Sequence, residues 1–203
     1  LFILFAISGC ASPAPEEAEG SALGGKQPAG NFPLVVEDFF GRQVEILKKP
    51  KRIISLAPNN TELLFALGLA EWIVGVTEYC NFPPEALDKP KAGSFSEPYL
   101  EQIIALQPDL IIASELLVSG EALEQLEDLK LPVLVLHPAG IGEVYHALEL
   151  LGLATGEREN SEQCVAEMKA RLTAVQEKLQ RSPIKGRTRV YYEVSADPLL
   201  TAG

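Results

Sequence analysis

Cysteine is scarce in this chain, with three in 203 residues, at positions 10, 80 and 164. That number and spacing make neither a disulfide framework nor a cysteine-based metal motif. Histidine occurs only at 137 and 146, and neither has a second ligand at i+4, so both read as structural or solvent-exposed. Basic clusters are missing as well. The densest, Lys48-Lys49 with Lys51-Arg52, brackets a proline and reads as a solvated strand entry, and the formal net charge is −11. Neutralising phosphates needs clustered Lys and Arg, so general nucleic-acid binding is argued against. No Gly-x-Gly-x-x-Gly, no Gly-x-x-x-x-Gly-Lys-Ser/Thr and no Gly-x-Ser-x-Gly occurs. No carboxylate pair stands out as acid and base. The chain is therefore expected not to be an enzyme, with no catalytic residue and no metal or cofactor of its own assigned.

What is present begins with Leu1 to Ile7, an apolar run followed by Ser8-Gly9-Cys10. It is far too short to span a bilayer but fits the end of a signal-peptide apolar region before small residues. Ile-Ser-Gly-Cys looks like a bacterial lipobox, which makes Cys10 the expected lipidation site. The chain starts at Leu1 rather than Met, so a longer leader with a basic start is expected to precede it. Residues 11–32 are rich in Pro, Gly, Ala and Glu and poor in apolar bulk. They cannot bury enough surface to fold and read as a tether reaching on the order of 25 Å. A domain so held stays beside a membrane yet rotates freely, which suits a partner in that membrane.

The body of the chain is organised around Arg52-Ile-Ile-Ser-Leu-Ala-Pro-Asn-Asn-Thr-Glu-Leu-Leu-Phe-Ala-Leu-Gly68. It reads as a strand over 53–56, a polar loop over 57–60, and a helix over 60–67. Asn59 and Asn60 suit the N-cap and Gly68 the C′ position. Leu63, Leu64 and Leu67 form the buried stripe. Ahead of it, Leu34 to Leu47 alternates on both sides of Phe40-Gly41 and reads as a β-hairpin. After it, strands are expected at 72–77, 109–113 and 132–136, and helices at 99–107, 120–129 and 141–151. Repeated βα units imply an α/β fold with a mostly parallel, Rossmann-like sheet, whose ligands sit outside the carboxyl ends of the strands. Residues 157–180 then run without Gly or Pro, with Cys164, Met168, Leu172, Val175 and Leu179 at spacings of three and four. That is one long amphipathic helix, on which Cys164 is expected to be packed. Thr188 to Val194 reads as a further strand. The expected organisation is a lipobox segment over 1–10, a tether over 11–32 and an N-terminal α/β lobe over 33–152. A connecting helix over 153–183 and the start of a second, truncated α/β lobe over 184–203 complete it.

Four stretches carry a resemblance to a known family: the strand-loop-helix from Arg52 to Gly68, Tyr79-Cys-Asn-Phe-Pro-Pro84, Leu100-Glu-Gln-Ile-Ile-Ala-Leu-Gln-Pro-Asp-Leu-Ile-Ile112, and Tyr191 to Gly203. Together, over about residues 33–203, the chain resembles the helical-backbone substrate-binding proteins of ABC importers for cobalamin, iron-siderophores and haem. The resemblance implies two lobes joined by a rigid helix, with ligand between them and little clamshell closure. It also implies an ABC permease as partner, and an extracytoplasmic, lipid-anchored location. Family members present a glutamate from each lobe to arginines of the permease, and Glu101 is the match on this lobe. The helix over 99–107 is expected to bury Leu100, Ile103, Ile104 and Gln107 on one face, leaving Glu101 to solvent.

Cobalamin and porphyrins are broad rings with polar rims, and a site for them needs aromatic faces and a few amides or hydroxyls. Candidates on the loops after the strands are Asn59, Asn60, Tyr79, Phe95 and Glu115. In cobalamin-binding relatives an aromatic stands at the position of Phe95 and a tyrosine at that of Tyr79. The ligand implied is cobalamin or a related metal chelate, with an iron-siderophore or haem as alternatives. Asn60 has the competing role of a helix cap, Phe95 that of a core-capping aromatic, and Cys80 that of a small core filler rather than a thiolate ligand. Two further readings remain open. An extracytoplasmic α/β enzyme or redox protein would use a metal at Cys80 and His137, and turnover or stoichiometric metal would reveal it. A haem-binding or adhesin-like surface module would keep its function when Glu101 is neutralised.

Overall fold

The computed structural model describes residues 32–94, 97–117, 121–181, 186, 191–196 and 199–202. The alternating segment forms the expected hairpin, in which β1 (Leu34–Glu37) pairs antiparallel with β2 (Gln43–Ile46). Five strands follow in one sheet: β3 (Ile53–Ser55), β4 (Ile73–Thr77), β5 (Lys91–Gly93), β6 (Leu110–Ser114) and β7 (Val133–Leu136). Their order is β5-β4-β3-β6-β7, and every pairing is parallel. The short strand β5 was not expected from the sequence, because Lys-Ala-Gly carries no apolar alternation to announce it.

Continuous apolar runs let both faces of the sheet be buried. Alternate strand residues feed two cores. Ile53, Leu110, Ile112, Leu134 and Leu136 meet α1 (Pro58–Ala66), α4 (Ile141–Thr155) and the hairpin. Ile54, Ile111, Ala113, Val133 and Val135 meet α2 (Leu100–Leu106) and α3 (Glu121–Asp128). Helix α2 comes so near the sheet that a Cβ at Gly75 would lie 2.8 Å from Leu106 Cδ1 and 3.1 Å from Ala92 Cβ. On this helix the face differs from expectation. Leu100, Ile103 and Leu106 pack inward, at i, i+3 and i+6, whereas Ile104 is 57% exposed and Gln107 is exposed. A helix of two turns laid along a sheet buries a strip too narrow for Ile104.

Helix α1 starts earlier than its sequence suggests. Ala57 is the N-cap, Pro58 takes the first turn, where its fixed φ fits and its missing N–H costs nothing, and no side chain caps the end. Asn59 and Asn60 therefore lie inside the helix, and the capping role expected of them is withdrawn. The other end is as expected: Gly68 follows Leu67 with φ +76°, the left-handed C′ position that favours glycine. Leu64 and Leu67 are buried.

Two recognisable stretches turn out to hold each other. Asp109 Oδ1 accepts from the backbone N–H of Lys51 (3.1 Å) and Arg52 (2.9 Å), fixing the entry to β3. The Arg52 guanidinium in return donates through Nη2 to the Leu106 carbonyl at 2.6 Å and through Nε to that of Gln107 at 3.0 Å, occupying the end of α2. Arg52 is thus an exposed but engaged cap rather than a free strand-entry charge.

At the other edge, β7 is guarded by the hairpin turn. Asp38, its side chain wholly buried, accepts from the N–H groups of Phe40 (2.9 Å) and Arg42 (3.1 Å) within the turn and of Val135 (3.3 Å) on β7. Arg42 donates to the Val133 carbonyl at 3.0 Å and pairs with Glu127 at 3.2 Å. An edge strand closed in this way offers no template for another chain.

The long helix α5 (Arg158–Gln180) follows α4 after Gly156, whose φ is +71°. The two helices pack closely at Gly152, where a Cβ would overlap the Ser161 side chain. Only Ser161 and Val165 of α5 are buried; Cys164 and Met168 are half-buried, and Val175 and Leu179 are exposed. Past it, β8 (Tyr192–Ala196) and β9 (Leu199–Ala202) pair antiparallel. Of the strand expected over 188–194, residues 188–190 lie outside the described residues and 192–194 fall in β8, which opens a hairpin.

Candidate functional site

A parallel sheet puts the ends of all its strands on one edge. The order β5-β4-β3-β6-β7 means that the chain leaves β3 toward one side and β6 toward the other. Their following helices, α1 and α3, accordingly lie on opposite faces. The point of divergence is the crevice where open α/β sheets bind ligands. The loops after β3 and β6 flank it, and those after β4, β5 and β7 extend the rim.

Polar residues at this crevice fall into two sets. The first is buried and engaged. Asn60, 0% exposed, donates from Nδ2 to the Ala113 carbonyl at 2.9 Å and so ties the first turn of α1 to β6. Thr61 Oγ1 lies 2.8 Å from Ser55 Oγ, 3.1 Å from the Ala57 carbonyl and 3.2 Å from Cys80 Sγ. Cys80, 0% exposed, also sits 3.1 Å from Thr77 Oγ1. This network couples the ends of β3 and β4. It makes Cys80 the packed small residue of the two readings, and a metal at Cys80 and His137 would find no open thiol. Among the described residues no group of three His, Cys, Asp or Glu could hold a metal ion. Asn60 Oδ1 and Ser114 Oγ, the latter in a residue only 4% exposed, are buried without a hydrogen-bond partner among the described residues.

The second set faces solvent. Asn59 is exposed on the first turn of α1. Tyr79 is 54% exposed and Phe82 61%, both in the loop after β4. Tyr99, at the foot of α2, donates its hydroxyl to Glu78 Oε1 at 2.8 Å, bracing that loop against the one after β5. This hydrogen bond is the main reason the Tyr99 phenol is raised above its ordinary pKa, with desolvation and the charges of Glu78 and Glu97 adding to it. Across the crevice, Glu115 Oε2 lies 3.4 Å from His137 Nδ1, and the Phe40 ring stands 6.1 Å from the His137 ring.

The structure thus brings Asn59, Asn60, Tyr79 and Glu115 to one edge of the sheet, with Asn60 buried beneath the surface. Phe95 and Cys10 lie outside the described residues. Glu101 is exposed on α2. Sequence reasoning missed Phe82, Glu78 and Tyr99. Phe82 stood in a stretch already singled out, whereas a bond between residues 21 apart leaves no sequence signal.

Residues 53–201 match the family described as periplasmic binding protein. An ABC transporter substrate-binding lipoprotein of Bacillus subtilis, itself uncharacterized, is 36% identical over 195 residues, covering 95% of this chain and 60% of its own length. A vitamin B12-binding protein of Vibrio campbellii is 32% identical over 151 residues, covering 74% of this chain and 54% of its own. The chain therefore spans a little over half the length of the curated relatives it matches. Among solved structures, the periplasmic vitamin B12 binding protein of Vibrio cholerae superposes with a TM-score of 0.65 at 28% identity, covering 75% of this chain and 59% of that one. A possible iron-binding, periplasmic solute-binding protein of Staphylococcus epidermidis gives 0.65 at 32% identity, covering 76% and 61%.

Proposed function

This chain belongs to the periplasmic binding protein family, and we propose that it captures cobalamin or a related metal chelate and delivers it to an ABC permease, held at the cell membrane by a lipid on Cys10. The observation that carries the reading is that Tyr79, Phe82 and Asn59 are all exposed on the segments that leave the carboxyl edge of a parallel sheet. Exposed aromatic faces and an amide on one rim are what a broad ring with a polar margin requires. The vitamin B12-binding relatives favour a corrinoid. Likeness to a possible iron-binding protein supports a ferric chelate or haem as the second reading. Phe95 is proposed to add a further aromatic face, and Asn60 and Glu115 the polar contacts. Glu101, exposed on α2, is the proposed contact to permease arginines.

Titration with cyanocobalamin, haem and a ferric siderophore, followed by Tyr and Trp72 fluorescence, tests the cargo. Saturable binding without turnover is expected, weakened on the order of tenfold by Tyr79→Ala, about what one lost aromatic contact produces. Glu101→Arg is expected to lower uptake in cells and leave binding unchanged. Failure to bind any of these ligands would refute the receptor reading.

A further inference from the structure

Among the described residues, no lysine or arginine pairs with the carboxylates of this rim. The segments that leave the carboxyl ends of the strands, 57–60, 78–82, 94–101, 115–121 and 137–143, contain no Lys and no Arg. They do contain Glu78, Glu97, Glu101, Glu115, Glu121 and Glu143. Glu78 and Glu97 both act on the Tyr99 phenol, so they share the β4–β5 side of the crevice, next to exposed Tyr79. Glu115 stands on the β6 side. The one imidazole there, His137, is 3.4 Å from Glu115, so any charge it takes is matched at once. Arg42, the cation of the neighbouring hairpin, reaches the Val133 carbonyl at the opposite end of β7 and is matched by Asp38 at 3.6 Å and Glu127 at 3.2 Å. An independent sign that the crevice is meant to be filled lies between these two acidic sides. Buried Asn60 Oδ1 and Ser114 Oγ have no hydrogen-bond partner among the described residues, and buried polar atoms ordinarily find one in protein, water or ligand.

We propose that this face selects its cargo by charge: it takes a neutral or cationic metal chelate whose margin offers amides, and rejects chelates that carry carboxylates or catecholates. The inference rests on the receptor reading above and decides between its two cargoes. Two unit charges some 8 Å apart in water change an equilibrium by about twofold per pair. Glu78, Glu97 and Glu115 acting together on each unit of ligand charge therefore amount to roughly tenfold, less at high salt. Exposed rim charges act in this way more on the choice of partner than on total affinity.

The test compares cobinamide cation, haem with its two propionates, and a ferric tris-catecholate, each titrated into the full chain at low and high salt. The cation is expected to bind at least tenfold more tightly than either anion, with the gap narrowing as salt rises. In the double variant Glu78→Gln, Glu97→Gln the ratio of cation to anion affinity is expected to fall several-fold. Circular dichroism would show that this variant is folded, and single variants at the two positions stand in for it otherwise. An anion bound as tightly as the cation, or a ratio that neither salt nor the substitutions move, would overturn the charge selection and leave the receptor reading standing. Binding of none of the three would overturn both.

Discussion

Replacing Asp38 tests whether the hairpin is bolted to the sheet or merely lies beside it. In Asp38→Ala three backbone N–H groups lose their acceptor. Those of Phe40 and Arg42 are part-buried in the turn, where water can reach in place of the carboxylate and each loss costs about 0.5–1.5 kcal/mol. Val135 is 0% exposed, so its N–H is stranded, at about 1–3 kcal/mol. The Arg42 contact at 3.6 Å is partly exposed and keeps Glu127 as its partner, so it adds little. The sum is roughly 3 kcal/mol. Asp38→Asn keeps one acceptor oxygen, which can serve either the turn or Val135 but not both, because the amide NH₂ opposes the remaining N–H. Its cost should be about half. Urea unfolding monitored by circular dichroism reads both values, and an unchanged slope would show that only stability has moved. Equal midpoints for the two variants, or a loss below about 1 kcal/mol for Asp38→Ala, would refute the idea that a buried carboxylate fastens the turn to β7.

Two further predictions concern the rim and the helix pair. Tyr99 has its folded-state pKa raised from 10.0, so its contribution is fully present below that value and is lost as pH rises through the higher folded one; stability should fall at alkaline pH, and Tyr99→Phe should flatten the fall in a series of thermal melts. Gly152→Val should destabilise by about 1–3 kcal/mol, because even a Cβ there overlaps the Ser161 side chain, and pairing it with Ser161→Gly should recover part of the loss in thermal melts.

Much of this architecture can be read from periodicity alone, and the exceptions share a cause. The buried strands announce themselves because β7 and all of β6 up to Ser114 are apolar runs, and α1 ends where Gly68 says it should. Asn59 and Asn60 mislead because their type suits an N-cap, yet Pro58 one step earlier fits the first turn better. Ile104 misleads because a helical wheel assumes a broad contact, and α2 has a narrow one. Strand β5 has no apolar pattern and exists only because β4 offers it an edge. The candidate loops could be located from the order of the elements, but not the division of labour within them. Whether Asn60 is buried or Tyr79 exposed depends on contacts with residues far away in sequence, such as Ala113.

That division has a consequence for how specificity can change in such a lobe. Ser55, Thr61, Thr77 and Cys80 through their polar side-chain atoms, and Asn60 through Nδ2, hold the ends of β3, β4 and β6 at fixed spacing. Substituting any of them disturbs the crevice as a whole, because each partner left behind is buried and cannot turn to water. Asn59, Tyr79 and Phe82 are exposed above that network, so their replacement alters chiefly what the rim offers. Glu78 stands between the two sets, since its carboxylate both braces Tyr99 and charges the rim. A change of cargo in this fold is therefore accessible through the solvent-facing residues of the β4 loop. The buried network beneath them sets where those residues stand.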